Sequence, residues 1–210
     1  MTLDLWLTFL AASTALLLIP GPTVLLVLSY ALSQGRRVAV ATALGVATGD
    51  LIAITAALAG LGALLSTSAV AFTVLKWVGA AYLVWLGISM WRKAGRAAGM
   101  SPDGEAPPAA ARAVFGHAAL VTALNPKSIG FFVAFVPQFI RPEAAFLPQA
   151  AVIVASFVGL AAANALAYAL LADRLRARIG QPGVIRGLTR AGGAVLVAMG
   201  AATALVRRGT

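Results

Sequence analysis

The sequence predicts an all-α integral membrane protein in which six transmembrane helices form two inverted three-helix repeats, with the first and fourth helices interrupted. Hydrophobic residues make up 61% of the 210-residue chain and charged residues only 10%, whereas a soluble domain carries about a quarter charged residues. The hydrophobic residues fall into successive runs of about twenty or more. Each run is long enough, at about 1.5 Å per residue, to cross about 30 Å of hydrocarbon. Proline motifs interrupt two of the runs.

Proline, glycine and charged residues mark the ends of the predicted helices. The helices are expected at residues 5–32, 38–65, 70–91, 114–140, 144–171 and 188–206. The first run is expected to be retained rather than cleaved as a signal peptide, because it is too long and starts with Asp4 instead of a basic residue. Residues 92–113 lack apolar periodicity and contain prolines, glycines and charges, which predicts a cytoplasmic linker. The chain thus divides into a first repeat, 1–91, this linker, and a second repeat, 114–210.

The distribution of basic residues predicts the orientation in the membrane. Most of them fall in the first, third and fifth loops, which lie on one side of a six-helix bundle. They are Arg36, Arg37, Arg92, Lys93, Arg96, Arg112, Arg174, Arg176, Arg178, Arg186 and Arg190. The positive-inside rule makes that side cytoplasmic and places both termini outside. The net charge of +10 is dispersed over short loops, so anionic membrane lipids are expected as partners and nucleic acid is not.

Two proline motifs predict where helices break. Pro20, Gly21 and Pro22 interrupt the first helix, and Asn125, Pro126 and Lys127 interrupt the fourth. Broken helices free backbone carbonyls and amides, and in many secondary transporters such breaks occupy corresponding positions in two inverted repeats and hold the substrate near the midplane. Two halves of three helices each must run in opposite senses, so any repeat here is inverted.

The third and sixth helices share a glycine spacing that favours this repeat. Glycines stand eight residues apart in both helices, with Leu-Val between them. The pairs are Gly79 and Gly87 in the third helix, and Gly192 and Gly200 in the sixth. Glycine-rich apolar helices also resemble each other through composition alone, so the sequence leaves that explanation open.

Asp50 and Lys127 are charged residues deep within predicted helices, at matching depth from the cytoplasmic ends. A lone charge there costs at least about 2.5–3.5 kcal/mol, so each should face the bundle interior, and an Asp50–Lys127 ion pair is the economical arrangement. Two interpretations remain open. The pair could only fix helix register. Alternatively, Asp50 exchanges a proton or meets a substrate ammonium, while Lys127 or nearby backbone amides meet a carboxylate.

Several weaker candidates surround these charges. Gly45 and Gly49 form a small-xxx-small step that leads into Asp50. Such a step usually serves helix packing, and it could also let the first or fourth helix approach the carboxylate. The only histidine, His117, is expected near the cytoplasmic interface. Asn164 is expected to hydrogen-bond a neighbouring helix, with a substrate contact as the alternative.

The order of motifs along nearly the whole chain resembles the lysine exporter (LysE) superfamily, in particular its homoserine/threonine efflux branch. The motifs that carry the resemblance are Pro20-Gly21-Pro22, Leu28-Ser29 with Gly35-Arg36-Arg37, Gly45 through Asp50, Lys76 through Leu83, and Leu124 through Lys127 with Phe131-Phe132 and Pro137-Gln138-Phe139. The resemblance implies a proton-driven amino-acid exporter of the bacterial inner membrane, with a threonine-, homoserine- or leucine-like substrate. The family's motif residues fall on Pro20, Gly21, Pro22, Gly45, Gly49, Asp50, Asn125, Pro126 and Lys127. Small residues on the helix faces would also suit a homodimer.

The residue inventory argues against other classes. The chain has no cysteine, which excludes thiol redox chemistry. It lacks a P-loop motif for ATP and a Gly-x-Ser-x-Gly nucleophile motif. Neither an enzymatic activity nor a cofactor is expected. A cation or metal-ion transporter of the same wider superfamily is the main alternative, although Lys127 beside the one deep acid would oppose a divalent ion and no resident metal site is expected.

Overall fold

A computed structural model describes residues 1–34, 38–67, 69–94, 110–179 and 181–205. These residues form eight α-helices and one short 3-10 helix, and no strand occurs among them. The helices are α1 (Leu3–Leu18), α2 (Pro22–Gln34), α3 (Ala39–Thr67), α4 (Ala69–Lys93), α5 (Ala111–Ala123), α6 (Pro126–Ala134), α7 (Phe146–Ile179) and α8 (Pro182–Leu205), with the 3-10 helix Val136–Phe139 after α6. Most of the predicted linker, and the basic residues Arg36, Arg37 and Arg96, lie outside the described residues.

Four helices, α3, α4, α7 and α8, are long and apolar enough to cross a membrane. Two bent pairs bring the number of spans in the described ranges to as many as six: α1 with α2, bent by 56°, and α5 with α6, bent by 46°. Both bends fall at the predicted proline motifs, and Pro22 and Pro126 each begin the helix that follows. Proline suits that position because its missing N–H would have no intrahelical acceptor there. The predicted interruptions of the first and fourth helices are therefore confirmed.

The ends of the last two long helices differ from the prediction. The helix expected at 144–171 continues to Ile179, and the last helix begins at Pro182 rather than at residue 188. The extension carries several arginines, which are good helix formers, and contains no glycine or proline before Gly180. The fifth loop is consequently much shorter than the sequence suggested.

Glycines set the closest helix contacts. On α3, a β-carbon at Gly45 would lie 2.5 Å from the carbonyl oxygen of Phe115, and one at Gly49 would lie 2.5 Å from that of Ala119. Because residue numbers increase in the same direction along both helices at these contacts, α3 and α5 are parallel neighbours. Gly45 and Gly49 thus allow the fourth predicted span to approach the segment of α3 that carries Asp50. The sequence had left open whether the first or the fourth span does so.

Helices α4 and α8 run antiparallel and also touch through glycines. Gly87 contacts Gly193, backbone against backbone, while Gly200 contacts Ala80 seven residues earlier on α4. Arg190 lies over the ring of Trp91 near the same end, with its guanidinium carbon 6.0 Å from the ring centroid. The end of α4 and the start of α8 therefore lie together.

Helices α1 and α7 form a second parallel pair. The indole of Trp6 donates to the Ser156 hydroxyl at 2.9 Å, and the amide of Asn164 donates to the Leu17 carbonyl at 3.2 Å. The contact therefore advances along both helices in the same direction. Asn164 was expected to hydrogen-bond a neighbouring helix, and this contact confirms it.

A buried aromatic cluster fills the bundle beside α6. It consists of Phe9, Phe131, Phe132, Phe139 and Phe157, each at most 4% exposed. Phe9 of α1 meets Phe139 of the 3-10 helix edge to face, with ring centroids 5.3 Å apart. This contact joins the first broken span to the end of the second.

Candidate functional site

The two helix breaks lie against each other at the centre of the bundle. Asn125 caps α6 by accepting a hydrogen bond at 3.0 Å from the backbone N–H of Lys127, as a residue preceding a helix commonly does. Its amide nitrogen donates at 3.0 Å to the hydroxyl of Thr23, at the start of α2. The Thr23 hydroxyl in turn lies 3.3 Å from that of Thr122. A chain of side-chain hydrogen bonds therefore joins the first break to the second.

The carboxyl end of α1 presents four consecutive backbone carbonyls to side chains from other helices. The Lys127 ammonium donates to Leu16 O at 2.9 Å and to Ile19 O at 2.8 Å. Asn164 takes the Leu17 carbonyl, and the Tyr168 hydroxyl donates to Leu18 O at 3.2 Å. The Leu16 carbonyl also accepts the Ile19 N–H at 3.2 Å, and the carbonyls after it face no further helical N–H because the helix ends here. They also form the negative end of the α1 dipole, which favours a cation.

The direct Asp50–Lys127 ion pair expected from the sequence is not formed. In the part of the chain that the structure describes, the only oppositely charged side chains in contact are Arg141 and Glu143. Lys127 instead donates to the carbonyls of the broken α1, which supply both acceptors and a favourable dipole. Asp50 and Lys127 remain electrostatic neighbours across a small gap.

Asp50 is only 2% exposed, and its Oδ1 atom has no hydrogen-bond partner. Ser128, one residue after Lys127, is the hydroxyl neighbour of the carboxyl group. An unsatisfied carboxyl oxygen inside an apolar bundle costs free energy, so it is a natural place for a proton or a cationic ligand to bind.

These groups line one small cavity of about 20 Å³, called the central cavity below. Its polar lining consists of Thr23, Asp50, Asn125, Lys127, Ser128, Asn164 and Tyr168. That volume accommodates about one water molecule and is far smaller than ligand sites of roughly 300–1,000 Å³. In this conformation the central cavity is too small to hold an amino acid. Asp50, Asn125 and Lys127 are brought together as the sequence suggested.

The remaining predicted residues surround the cavity without lining it. At Gly21, a β-carbon would lie 3.5 Å from the Lys127 Nζ atom, so the backbone of the first break passes directly beside the ammonium. Pro20 and Pro22 flank Gly21; Pro20 follows the end of α1 at Leu18, and Pro22 begins α2. Gly45 and Gly49 lie against the α5 backbone and do not contact the cavity.

Sequence reasoning missed Thr23, Ser128 and Tyr168. None carries a charge, and small hydroxyl residues are common in apolar helices, so composition alone did not mark them. Their positions offered a signal: Thr23 directly follows Pro22, Ser128 directly follows Lys127, and Tyr168 stands one turn after Asn164. Residues four apart on a helix share a face.

His117 of α5 contacts Tyr30 of α2, so it links one half of each broken span. The Tyr30 hydroxyl lies 2.8 Å from its Nδ1 atom, and the two rings meet edge to face with centroids 5.9 Å apart. Tyr30 belongs to α2 and His117 to α5, so this contact joins the two half-helices at the basic end of the bundle. The contacts Tyr30–His117 and Phe9–Phe139 each join the two broken spans, and neither lines the central cavity.

A multi-helix bundle with two broken spans around buried charges is typical of membrane transport proteins. Comparison with known proteins gives the family. The LysE type translocator family matches residues 14–207, and the chain belongs to this family. It is therefore a multi-pass bacterial membrane protein and a translocator rather than an enzyme.

Three relatives illustrate the range of proteins that the chain resembles. It is 37% identical to a homoserine/homoserine lactone efflux protein of Salmonella typhimurium, over 99% of both chains. It is 34% identical to an uncharacterized membrane protein of Vibrio cholerae, over 95% of this chain and 96% of the relative. A leucine efflux protein of Klebsiella pneumoniae is 34% identical over 66% of this chain and 65% of its own. No solved structure matches the chain.

Proposed function

We propose that this protein is a secondary active exporter of amino acids or similar small amphoteric metabolites, coupled to protons across the bacterial inner membrane. The observation that carries the proposal is the buried Asp50 carboxyl, whose Oδ1 atom lacks a partner beside two broken helices. The family and the relatives named as homoserine and leucine efflux proteins support the substrate class. Export is inferred from those relatives.

The groups around the central cavity suit a zwitterion. Asp50 and the carbonyls at the end of α1 form the negative part, and Lys127 at the start of α6 forms the positive part. In this conformation the Lys127 ammonium occupies the Leu16 and Ile19 carbonyls. A substrate ammonium would take those acceptors, which lets Lys127 meet the substrate carboxylate. A divalent cation would be repelled by Lys127, so the amino acid is the better fit.

Asp50 is proposed as the proton carrier. Its carboxyl group has an open hydrogen-bonding position, and no cationic side chain is in direct contact with it among the described residues. Such a group can bind a proton from one side of the membrane and release it on the other as the site opens alternately. Protonation of Asp50 would also reduce its attraction for Lys127 or for the substrate ammonium. The movement of the proton would thereby be coupled to the movement of the substrate.

Alternating access is proposed to arise from two inverted repeats, 1–91 and 114–210, joined by a cytoplasmic linker at 92–113. The contacts support this arrangement. The α3–α5 pair and the α1–α7 pair each join an unbroken span of one half to a broken span of the other in parallel. Helices α4 and α8, the last spans of the two halves, run antiparallel. Rearrangement of the broken spans would open the Tyr30–His117 contact and the Phe9–Phe139 contact in turn.

Counterflow in proteoliposomes tests the proposed function. Purified protein is reconstituted with an unlabelled amino acid inside, and uptake of the same labelled amino acid is followed with neutral, basic and acidic competitors. Exchange of at least one amino acid and uphill transport that a protonophore abolishes are expected. Protein-free liposomes are the control. A correctly folded protein that exchanges no amino acid in this panel would refute the substrate class.

A further inference from the structure

A second and much larger cavity lies at the end of the bundle where α1 begins. Its volume is about 570 Å³, within the range of small-molecule binding sites. We call it the end cavity. Its polar lining consists of Thr2, Thr73, Lys76, Gln138 and Arg141.

Two cations from different elements face the end cavity. Lys76 belongs to α4, and Arg141 follows the 3-10 helix after Phe139. No acidic side chain is among the described lining residues. Glu143 approaches Arg141 at 3.8 Å, but the two side chains are 73% and 50% exposed. Because exposed ion pairs are weak, Arg141 stays available to an anionic ligand.

The end cavity and the central cavity share one connecting element. Helix α6 begins beside the central cavity at Pro126 and ends at Ala134, which lines the end cavity. The eight steps from Pro126 to Ala134 along this nine-residue helix span about 12 Å at 1.5 Å per residue. The aromatic contact between Phe9 and Phe139 belongs to the same region. Gln138, which lines the end cavity, directly precedes Phe139, so a ligand there would contact the 3-10 helix that packs on Phe9.

We propose that the end cavity is a second substrate site, which holds the carboxylate of an amino acid between Lys76 and Arg141 outside the Phe9–Phe139 contact. The inference rests on the proposed function, because it assigns the same substrate class to this cavity. The Gln138 amide nitrogen donates to the Ala134 carbonyl and the Thr203 hydroxyl, which leaves its Oε1 atom to accept from the substrate ammonium, and the Thr2 hydroxyl supplies a further hydrogen bond. An exporter would release its substrate through this site, since the predicted orientation places this end of the bundle outside the cell.

The natural absence of cysteine provides a direct probe of this cavity. Thr73→Cys introduces one thiol on its lining, and Ala145→Cys places one on an exposed loop outside it. Both variants are purified in detergent and labelled with an anionic and a cationic thiol reagent of similar size. In the Thr73→Cys variant the anionic reagent should react faster by about threefold for each nearby cation. The Ala145→Cys variant should show a smaller preference.

Ligand protection identifies the substrate group. An amino acid with a free carboxylate should slow labelling of the Thr73→Cys variant several-fold, whereas the corresponding amino-acid amide should not. Lys76→Gln and Arg141→Gln, each added to Thr73→Cys, should reduce both the charge preference and the protection. Lys76→Arg should retain them. Circular dichroism of each variant checks that the helices are intact.

Three results would overturn the inference: equal protection by the amide, protection that survives both neutral substitutions together, or protection by short-chain phosphatidylglycerol alone. The last result would make the cavity a site for a lipid phosphate. The labelling needs no transport. Active counterflow without protection by the carboxylate would therefore refute only the proposed substrate site in the end cavity. Protection without counterflow would refute only the proposed transport function.

Discussion

Replacement of Gly49 by alanine tests whether contact between α3 and α5 holds Asp50 in place. A β-carbon at this position would lie 2.5 Å from the Ala119 carbonyl oxygen and 2.7 Å from the Thr122 β-carbon. Ordinary contacts begin at about 3.4 Å, so the two helices would have to separate locally by about 0.9 Å. Overpacking of this kind costs about 1–3 kcal/mol. Asp50, the next residue, would move with the helix.

Gly60 provides a matched control on the same helix. A β-carbon there meets nothing within 4 Å. Both substitutions gain the intrinsic helix preference of alanine, about 1 kcal/mol, so the difference between the variants isolates the steric cost at Gly49. For a chain of this size each kcal/mol shifts the Tm by roughly 2–4 °C, and the Tm of Gly49→Ala should lie about 2–12 °C below that of Gly60→Ala.

The assay is thermal unfolding of both variants in one detergent, followed by counterflow in proteoliposomes. Gly49→Ala should lower the melting temperature relative to Gly60→Ala and slow counterflow, while Gly60→Ala should transport normally. Equal melting temperatures and equal transport would refute the reasoning, because they would mean that α3 and α5 do not depend on glycine for their approach.

Three further predictions address topology and the broken helices. Reporters fused after Arg96 and after Arg178 should be cytoplasmic and a tag after Arg208 extracytoplasmic; a cytoplasmic tag there would contradict the predicted orientation. Pro126→Ala should allow α5 and α6 to form a continuous helix, which reduces counterflow without loss of membrane insertion; normal counterflow would show that the interruption has no role. Asn125→Ala should destabilise the protein by about 1 kcal/mol through loss of the α6 cap, measured by thermal unfolding; an unchanged melting temperature would argue against the cap.

The features predictable from the sequence were those with a local physical cause. The helices are predictable because crossing the hydrocarbon core of a bilayer requires long apolar runs. The interruptions are visible because proline cannot donate a backbone hydrogen bond. The proximity of Asp50 and Lys127 followed from the cost of isolated charges in a membrane.

The partners of Lys127 could not be predicted in the same way. Its acceptors are the backbone carbonyls of Leu16 and Ile19, and residue identity does not reveal which carbonyls a helix end will free. The expectation of an ion pair with Asp50 took only side-chain partners into account. The roles of Asn164 and Tyr168 depend on the parallel contact between α1 and α7, which joins residues about 150 positions apart. Such long-range contacts have no local signature.

Proton-driven uphill efflux by Asp50→Asn and by Asp50→Asn with Lys127→Met tests the proposed mechanism most directly. Efflux against an amino-acid gradient is measured in proteoliposomes under an imposed pH gradient, and expression and thermal stability are measured in parallel. If Asp50 carries the proton, both variants should fold but lose uphill efflux, because asparagine keeps the shape and cannot titrate. Restoration of proton-coupled efflux in the double variant would contradict the account and reduce Asp50 to a structural partner of Lys127.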